Sequence, residues 1–274
     1  MKKKVSEFDY QRASLPRTRR VQFSDCFKMN YPLILKCGLM LLAFFSPMIL
    51  FSIYADLFYL SLMSQATGDI EQTQMLYNYL LNVGMILCSL VAIVGITGVI
   101  YVLRNFIWGE GIFFRSDIAS GIKQNAGKNV IFAAIFSVFY ALSYFIYSLF
   151  PDAIVSLLPI IMFALIFLPV LFWIMLLNNL YKSKWTGLVR NGFYFYIKTI
   201  GWSLLGILMP LSLLGLLFIP AEFFWIKYIV LVAFIVFVFP IILLIMVLYS
   251  TSVFDEAINK DNYPDYYLRG LNHD

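Results

Sequence analysis

Residues 80–104, LLNVGMILCSLVAIVGITGVIYVLR, decide the fold. No charge interrupts this run before Arg104. A helix rising 1.5 Å per residue carries it about 36 Å, more than the ~30 Å of hydrocarbon in a bilayer. Five further runs of similar character, at 32–55, 130–150, 154–177, 200–220 and 228–249, predict five more crossings. Gly84, Gly95, Thr97 and Gly98 line part of the quoted helix, a composition suited to close helix–helix contact.

The basic residues orient these runs. Of twenty Lys and Arg, eight precede the first run, four separate runs two and three (Arg104, Arg115, Lys123, Lys128), four separate runs four and five, and two follow the sixth. Only Lys227 falls in an opposite loop, and Lys36 lies inside the first run. Eighteen against one places both termini on the cytoplasmic side by the positive-inside rule. A mean hydropathy of +0.84 with 62% apolar and 13% charged residues excludes an ordinary soluble domain and leaves no room for a separate catalytic one. The net charge of +5 therefore points to anionic inner-leaflet lipid rather than nucleic acid.

The expected organisation is a cytoplasmic arm at 1–29, a transmembrane domain at 30–250 and a cytoplasmic tail at 251–274. The arm precedes an apolar run without a small-residue cleavage site, so that run reads as a retained helix. The outer connections are short: a polar loop at 64–74, a turn at Pro151 and Asp152, and a segment at 220–227. The first inner loop, 104–129, predicts a short interfacial helix capped by Asp117, with Ile118 and Ile122 toward lipid and Lys123 and Lys128 toward water. Residues 187–198 echo 121–132 faintly, as in a pair of related helical hairpins. The tail carries five acids and two bases, and its DEAINK stretch extends the last helix until Pro264 stops it.

Few residues in the spans carry chemistry. Lys36 sits near enough to the inner end to lift its ammonium into the headgroups. Asp56, at the outer end, is expected to be hydrated by the interface. Pro47, Pro159, Pro169, Pro210 and Pro240 are expected to kink their helices. A hydrophilic solute carrier needs many hydrogen-bonding groups at depth, and a proton-coupled one needs a buried carboxylate or histidine. The spans between 130 and 249 show a handful of serines instead, and no polar stripe of the kind that lines a channel. Trp108, Trp173, Trp185 and Trp202 read as an inner aromatic belt and Trp225 as an outer one. The lone histidine, His273, builds no catalytic dyad, and Cys26, Cys37 and Cys88 lie where disulfides do not form. No catalytic or phosphate-binding motif is present, so no enzyme, cofactor or metal is expected.

The inner loop, with YVLRN at 101–105, Ser116 and Asp117, and KQN at 123–125, resembles YesL-like proteins, a family of bacterial integral membrane proteins. The tail, with VFD at 253–255, Tyr263 and Pro264, and RGL at 269–271, is similar to the way such chains end. The resemblance implies a bacterial plasma membrane and an accessory role beside an ATP-driven (ABC-type) carbohydrate importer. The chain has no E-A-A-x(3)-G coupling loop and is not itself such a permease.

The expectation is thus an all-α fold of six transmembrane helices with both ends inside. It would act without catalysis as an accessory or scaffold for a carbohydrate importer. Arg104, Asn105, Asp117, Lys123 and Asn125 are the candidate contacts with that partner or with anionic lipid. The alternative is a transporter or flippase for a hydrophobic or amphiphilic molecule. A continuous cavity reaching mid-membrane among spans 1, 4, 5 and 6 favours transport, and tight packing favours the accessory role.

Overall fold

The computed structural model describes residues 15–65, 70–150, 153–181, 183–217, 219–220 and 223–272. The start of the arm, the centre of the first outer loop and the turn at Pro151 and Asp152 lie outside these residues. Every regular element among them is helical. In chain order they are α1 (Arg19–Met29), α2 (Tyr31–Gln65), α3 (Ile70–Ile107), α4 (Phe114–Leu149), α5 (Ile154–Leu180), α6 (Trp185–Lys198), α7 (Ile200–Leu217) and α8 (Phe224–Asn262). Five of them, α2, α3, α4, α5 and α8, contain stretches long and apolar enough to cross a bilayer. This is the architecture of a polytopic membrane protein. The expected fifth crossing corresponds to α7, an apolar helix of 18 residues.

Lipid chains are as apolar as leucine, so apolar burial alone does little to hold such helices together. Close packing does more. α3 presents Gly95 to the Phe44 side chain of α2 and Gly84 to the Phe51 ring. A methyl group at either glycine would fall within 2.5 Å of those side chains. On another face of α3, Gly98 receives Ile118 and Ile122 of α4, and Gly121 of α4 receives Tyr101. Ile118 is buried against protein and does not face lipid. Phe114 begins a helix that runs through a widened π-helical stretch, Ile122–Ala126, into the third crossing, so the separate interfacial helix is absent. Asp117 lies inside its first turn rather than ahead of it, and its carboxylate accepts the Phe113 N–H at 2.8 Å.

The prolines are accommodated carbonyl by carbonyl. A proline has no N–H to give the carbonyl four residues back. For Pro47 that carbonyl, Ala43, accepts the Ser46 hydroxyl at 2.7 Å. For Pro169 it is Leu165, which accepts the Tyr196 hydroxyl at 2.9 Å. For Pro240 it is Val236, onto which the Cα of Gly38 closes directly. Widened turns at Phe163–Phe167 and Phe234–Val238 end just before the latter two prolines.

The described parts of the arm and the tail fold onto the basic end of the bundle. The second half of the arm forms α1, capped by the Thr18 hydroxyl, which accepts the Val21 N–H. Arg19 pairs with Asp255 at 3.0 Å and donates to the Arg269 carbonyl, and Gln22 donates to the Ile107 carbonyl at 2.6 Å. Burial pushes the Arg19 guanidinium below its ordinary value while the hydrogen bond and charge of Asp255 favour its protonated form. Burial, helped by the charge of Asp25, pushes the Cys26 thiol up to about 12, leaving it unreactive. α8 runs to Asn262, and the chain turns at Pro264 as expected.

The tail then crosses the end of α3 at Gly270, which has φ +82°. A Cβ there would stand 2.0 Å from the Ile107 carbonyl oxygen. Gly270→Ala is expected to add about 1–2 kcal/mol of backbone strain before that overlap is relieved. The tail should therefore detach, and amide exchange over 263–272 should rise about tenfold or more while α2 and α3 exchange as before.

Candidate functional site

A void lies among α3, α4, α5, α7 and α8. It is an apolar cavity of about 280 Å³, near the lower end for small-molecule sites. Along α3 it reaches from Asn82 to Ile96, about 21 Å of helix and so a large part of the membrane's depth. Phe136, Phe172, Leu243 and Met246 form much of its wall, and Ser89 and Ser137 interrupt it. At one end the Tyr140 hydroxyl donates to Asn82 Oδ1, and Asn82 Nδ2 donates to the Asn78 carbonyl at 2.7 Å. A smaller void of about 90 Å³ adjoins it, sharing Phe172, Gly206, Ile242 and Met246. The prolines contribute indirectly: the widened turn before Pro169 carries Phe163, and Phe239 precedes Pro240 in the wall. The cavity lies among α3, α4, α5, α7 and α8, where the expectation for transport had spans 1, 4, 5 and 6; α2 supplies none of its lining.

Toward the basic end the cavity is closed by a layer of amides. Asn129, fully buried, donates to Thr97 Oγ1 at 2.9 Å and accepts from Asn178 Nδ2 at 2.9 Å. Asn178 also donates to the Asn125 carbonyl, and Asn125 Nδ2 donates to Asn179 Oδ1 at 3.0 Å. Asn179 Nδ2 returns to the Met175 carbonyl. Arg104 completes the layer: Nη1 donates to the Asn179 carbonyl at 2.7 Å, and Nε and Nη2 both donate to Asn105 Oδ1. Its guanidinium lies 3.9 Å from the Tyr101 ring centroid. Each amide thus meets polar partners, which is how such groups are tolerated at depth.

At the opposite end α2 and α8 are joined by a buried ion pair. Asp56 Oδ2 accepts from Lys227 Nζ at 2.7 Å, and both side chains are 0% exposed. The same oxygen accepts the Tyr228 hydroxyl at 2.9 Å, and Oδ1 accepts the Tyr77 hydroxyl at 2.6 Å. Ser52 Oγ lies 2.9 Å from the Tyr228 oxygen. The expectation that Asp56 is hydrated at an interface is therefore corrected. Lys227, read as a loop residue, belongs to the first turns of α8.

No known family, curated protein or solved structure matches this chain. Its own geometry must carry the reading. Of the five residues singled out in the sequence, Arg104, Asn105 and Asn125 meet in the amide layer and are spent on internal contacts. Asp117 and Lys123 do not join them; Lys123 is exposed and Asp117 caps its own helix. Asn129, Asn178 and Asn179 were missed, although asparagines four apart at 125 and 129 share one helical face. Of the tryptophans, Trp185, Trp202 and Trp225 are exposed, as a belt requires. Trp108 and Trp173 are interior instead: Trp108 stacks on Tyr266, and Trp173 Nε1 donates to Ser203 at 2.8 Å. Lys36 is exposed, as its expected position requires. Among the described residues no group of three or more His, Cys, Asp or Glu could hold a metal ion.

Proposed function

We propose that this is a six-span protein of the bacterial plasma membrane, with both termini inside, that binds one apolar or amphiphilic molecule in its intramembrane cavity and moves or presents it without chemical change. The apolar cavity carries this reading. It is deep and elongated, as a hydrocarbon chain requires, and it offers few hydrogen-bonding groups to a sugar or an ion. The remaining crossing, fifth in chain order, is α7, whose 18 residues span about 27 Å. An even number of crossings is also what keeps the arm and the tail, which meet where Arg19 donates to the Arg269 carbonyl, on one side. Transport or flipping of an amphiphile thus comes ahead of the accessory role.

A photoactivatable alkyl amphiphile tests the reading. We expect it to label peptides from α4 and α5 that line the cavity. Ser137→Phe, which places an aromatic ring in the cavity, should cut that labelling about tenfold, equivalent to ~1.4 kcal/mol of binding. Labelling confined to the outer surfaces of the helices, and indifferent to Ser137→Phe, would refute it.

The accessory role at a carbohydrate importer is the second reading. It rests on the YesL-like resemblance and on one observation, the Phe113 side chain, 75% exposed at the folded basic end beside Arg115. A protruding aromatic flanked by charge suits a partner protein as the resemblance implies.

A further inference from the structure

A second cavity, polar and about 850 Å³ in volume, opens at the basic end among the widened turn of α4, the end of α5 and the start of α6. Lys128 and Lys184 stand in its wall with Gln124, Asn178, Trp185 and Thr186. Lys128 Nζ gives one of its three protons to the Ser183 carbonyl at 2.9 Å and lies 5.9 Å from the Trp185 ring centroid. Lys184 is exposed and forms the N-cap of α6 without a side-chain hydrogen bond to its first turn. Two lysines and the start of α6 thus border one space, and among the described residues no carboxylate lines it.

The two cavities are separated by a single hydrogen-bonded layer. On α5, Asn178 lines the polar cavity, and Met175, about 4.5 Å earlier along the helix, lines the apolar one. On α4, Lys128 lines the polar cavity and Ala133, about 7.5 Å further along the helix, lines the apolar one. Between them lie Asn129 and its bond to Thr97. A ligand reaching both would have to part that bond, and would carry an apolar chain and a compact anionic head.

Resting on the cavity reading above, we propose that this polar cavity is a headgroup site for a phosphate-bearing amphiphile. A lone carboxylate would engage one lysine and leave most of the space unfilled. A phosphate offers three acceptor oxygens to two ammonium groups and to the amides of a helix start, each a charge-assisted bond. A neutral sugar would leave both ammonium groups unanswered.

The test uses the full chain in mild detergent, stripped of lipid, and two probes with the same acyl chain: oleoyl lysophosphatidic acid and monooleoylglycerol. Binding is read by native mass spectrometry. The phosphate-bearing probe should bind about tenfold more tightly, the scale expected of two lysines acting on one anion. The preference should vanish in K128Q/K184Q and return in K128R/K184R. Equal affinity for both probes in the unaltered protein, or a preference indifferent to K128Q/K184Q, would overturn the proposal. Excess inorganic phosphate separates the sources of this chemistry. A bound lipid that resists it identifies a membrane amphiphile, and one displaced by it identifies a soluble phosphate compound in the same site. Ser137→Phe separates this proposal from the one beneath it. If that variant binds both probes normally, the intramembrane reading fails while a lysine-dependent preference stands. If it loses both probes but the unaltered protein shows no preference, only the headgroup site fails.

Discussion

Replacing Lys227 with Met is expected to destabilise the protein by about 3–5 kcal/mol, the usual cost of removing one member of a buried ion pair. The loss is larger than that of one hydrogen bond because of what remains. Asp56 would keep the two tyrosine hydroxyls but lose the ammonium that balances its charge, in a site where neither side chain is exposed. Asp56→Asn in the Lys227→Met background should recover most of the loss. It removes the orphaned charge and keeps a carbonyl oxygen for Tyr77 or Tyr228 to donate to. Reversible unfolding of the three variants in detergent micelles measures both steps. If the double variant were as unstable as the single one, the carboxylate would be needed for its shape and not for its charge.

Gly38→Ala is the second large effect, at about 3 kcal/mol, the upper end for overpacking. The added methyl group would stand 2.0 Å from the Val236 carbonyl oxygen and 2.8 Å from its carbon. The obstacle is backbone, so no rotamer change relieves it. That backbone belongs to the widened turn ahead of Pro240, where α8 is already committed to an irregular path. Gly127→Ala is the matched control. Nothing lies within 4 Å of the new methyl group, so it should stabilise α4 by up to ~1 kcal/mol through helix propensity alone. Opposite signs for the two glycines, read from unfolding midpoints in one detergent, are the expected result. Destabilisation of equal size by both would place the cost elsewhere than the contact of α2 with α8.

The helices were legible because a run of apolar residues long enough to cross lipid has few alternatives. Two of them run past their apolar stretches: α8 continues to Asn262, as its DEAINK stretch predicts, and α2 to Gln65, since backbone hydrogen bonds carry a helix past the point where hydropathy stops calling for one. The candidate site was legible only in part. Asp56 and Lys227 each look like an interfacial residue when taken singly. Only a fold that brings positions 171 apart together makes them one neutral unit. The same holds for Asn129 and Asn178, 49 positions apart, whose worth lies in satisfying each other. Arg104 drew notice as a positive-inside charge, yet its guanidinium is spent between Asn105 and the end of α5. Gly270 gave no sequence signal beyond its identity, because the carbonyl it must clear belongs to Ile107. The cavity itself is a property of shape, set by how Phe136, Phe172 and Met246 fail to fill the space between five helices.

The central claim is that this space holds a ligand, and mass spectrometry of what the protein keeps on leaving its native membrane tests it most directly. Protein released in mild detergent should retain one amphiphilic molecule per chain, and the Ser137→Phe variant, equally folded, should retain none. A bare chain in both cases, or the same molecule held equally by both, would contradict the account.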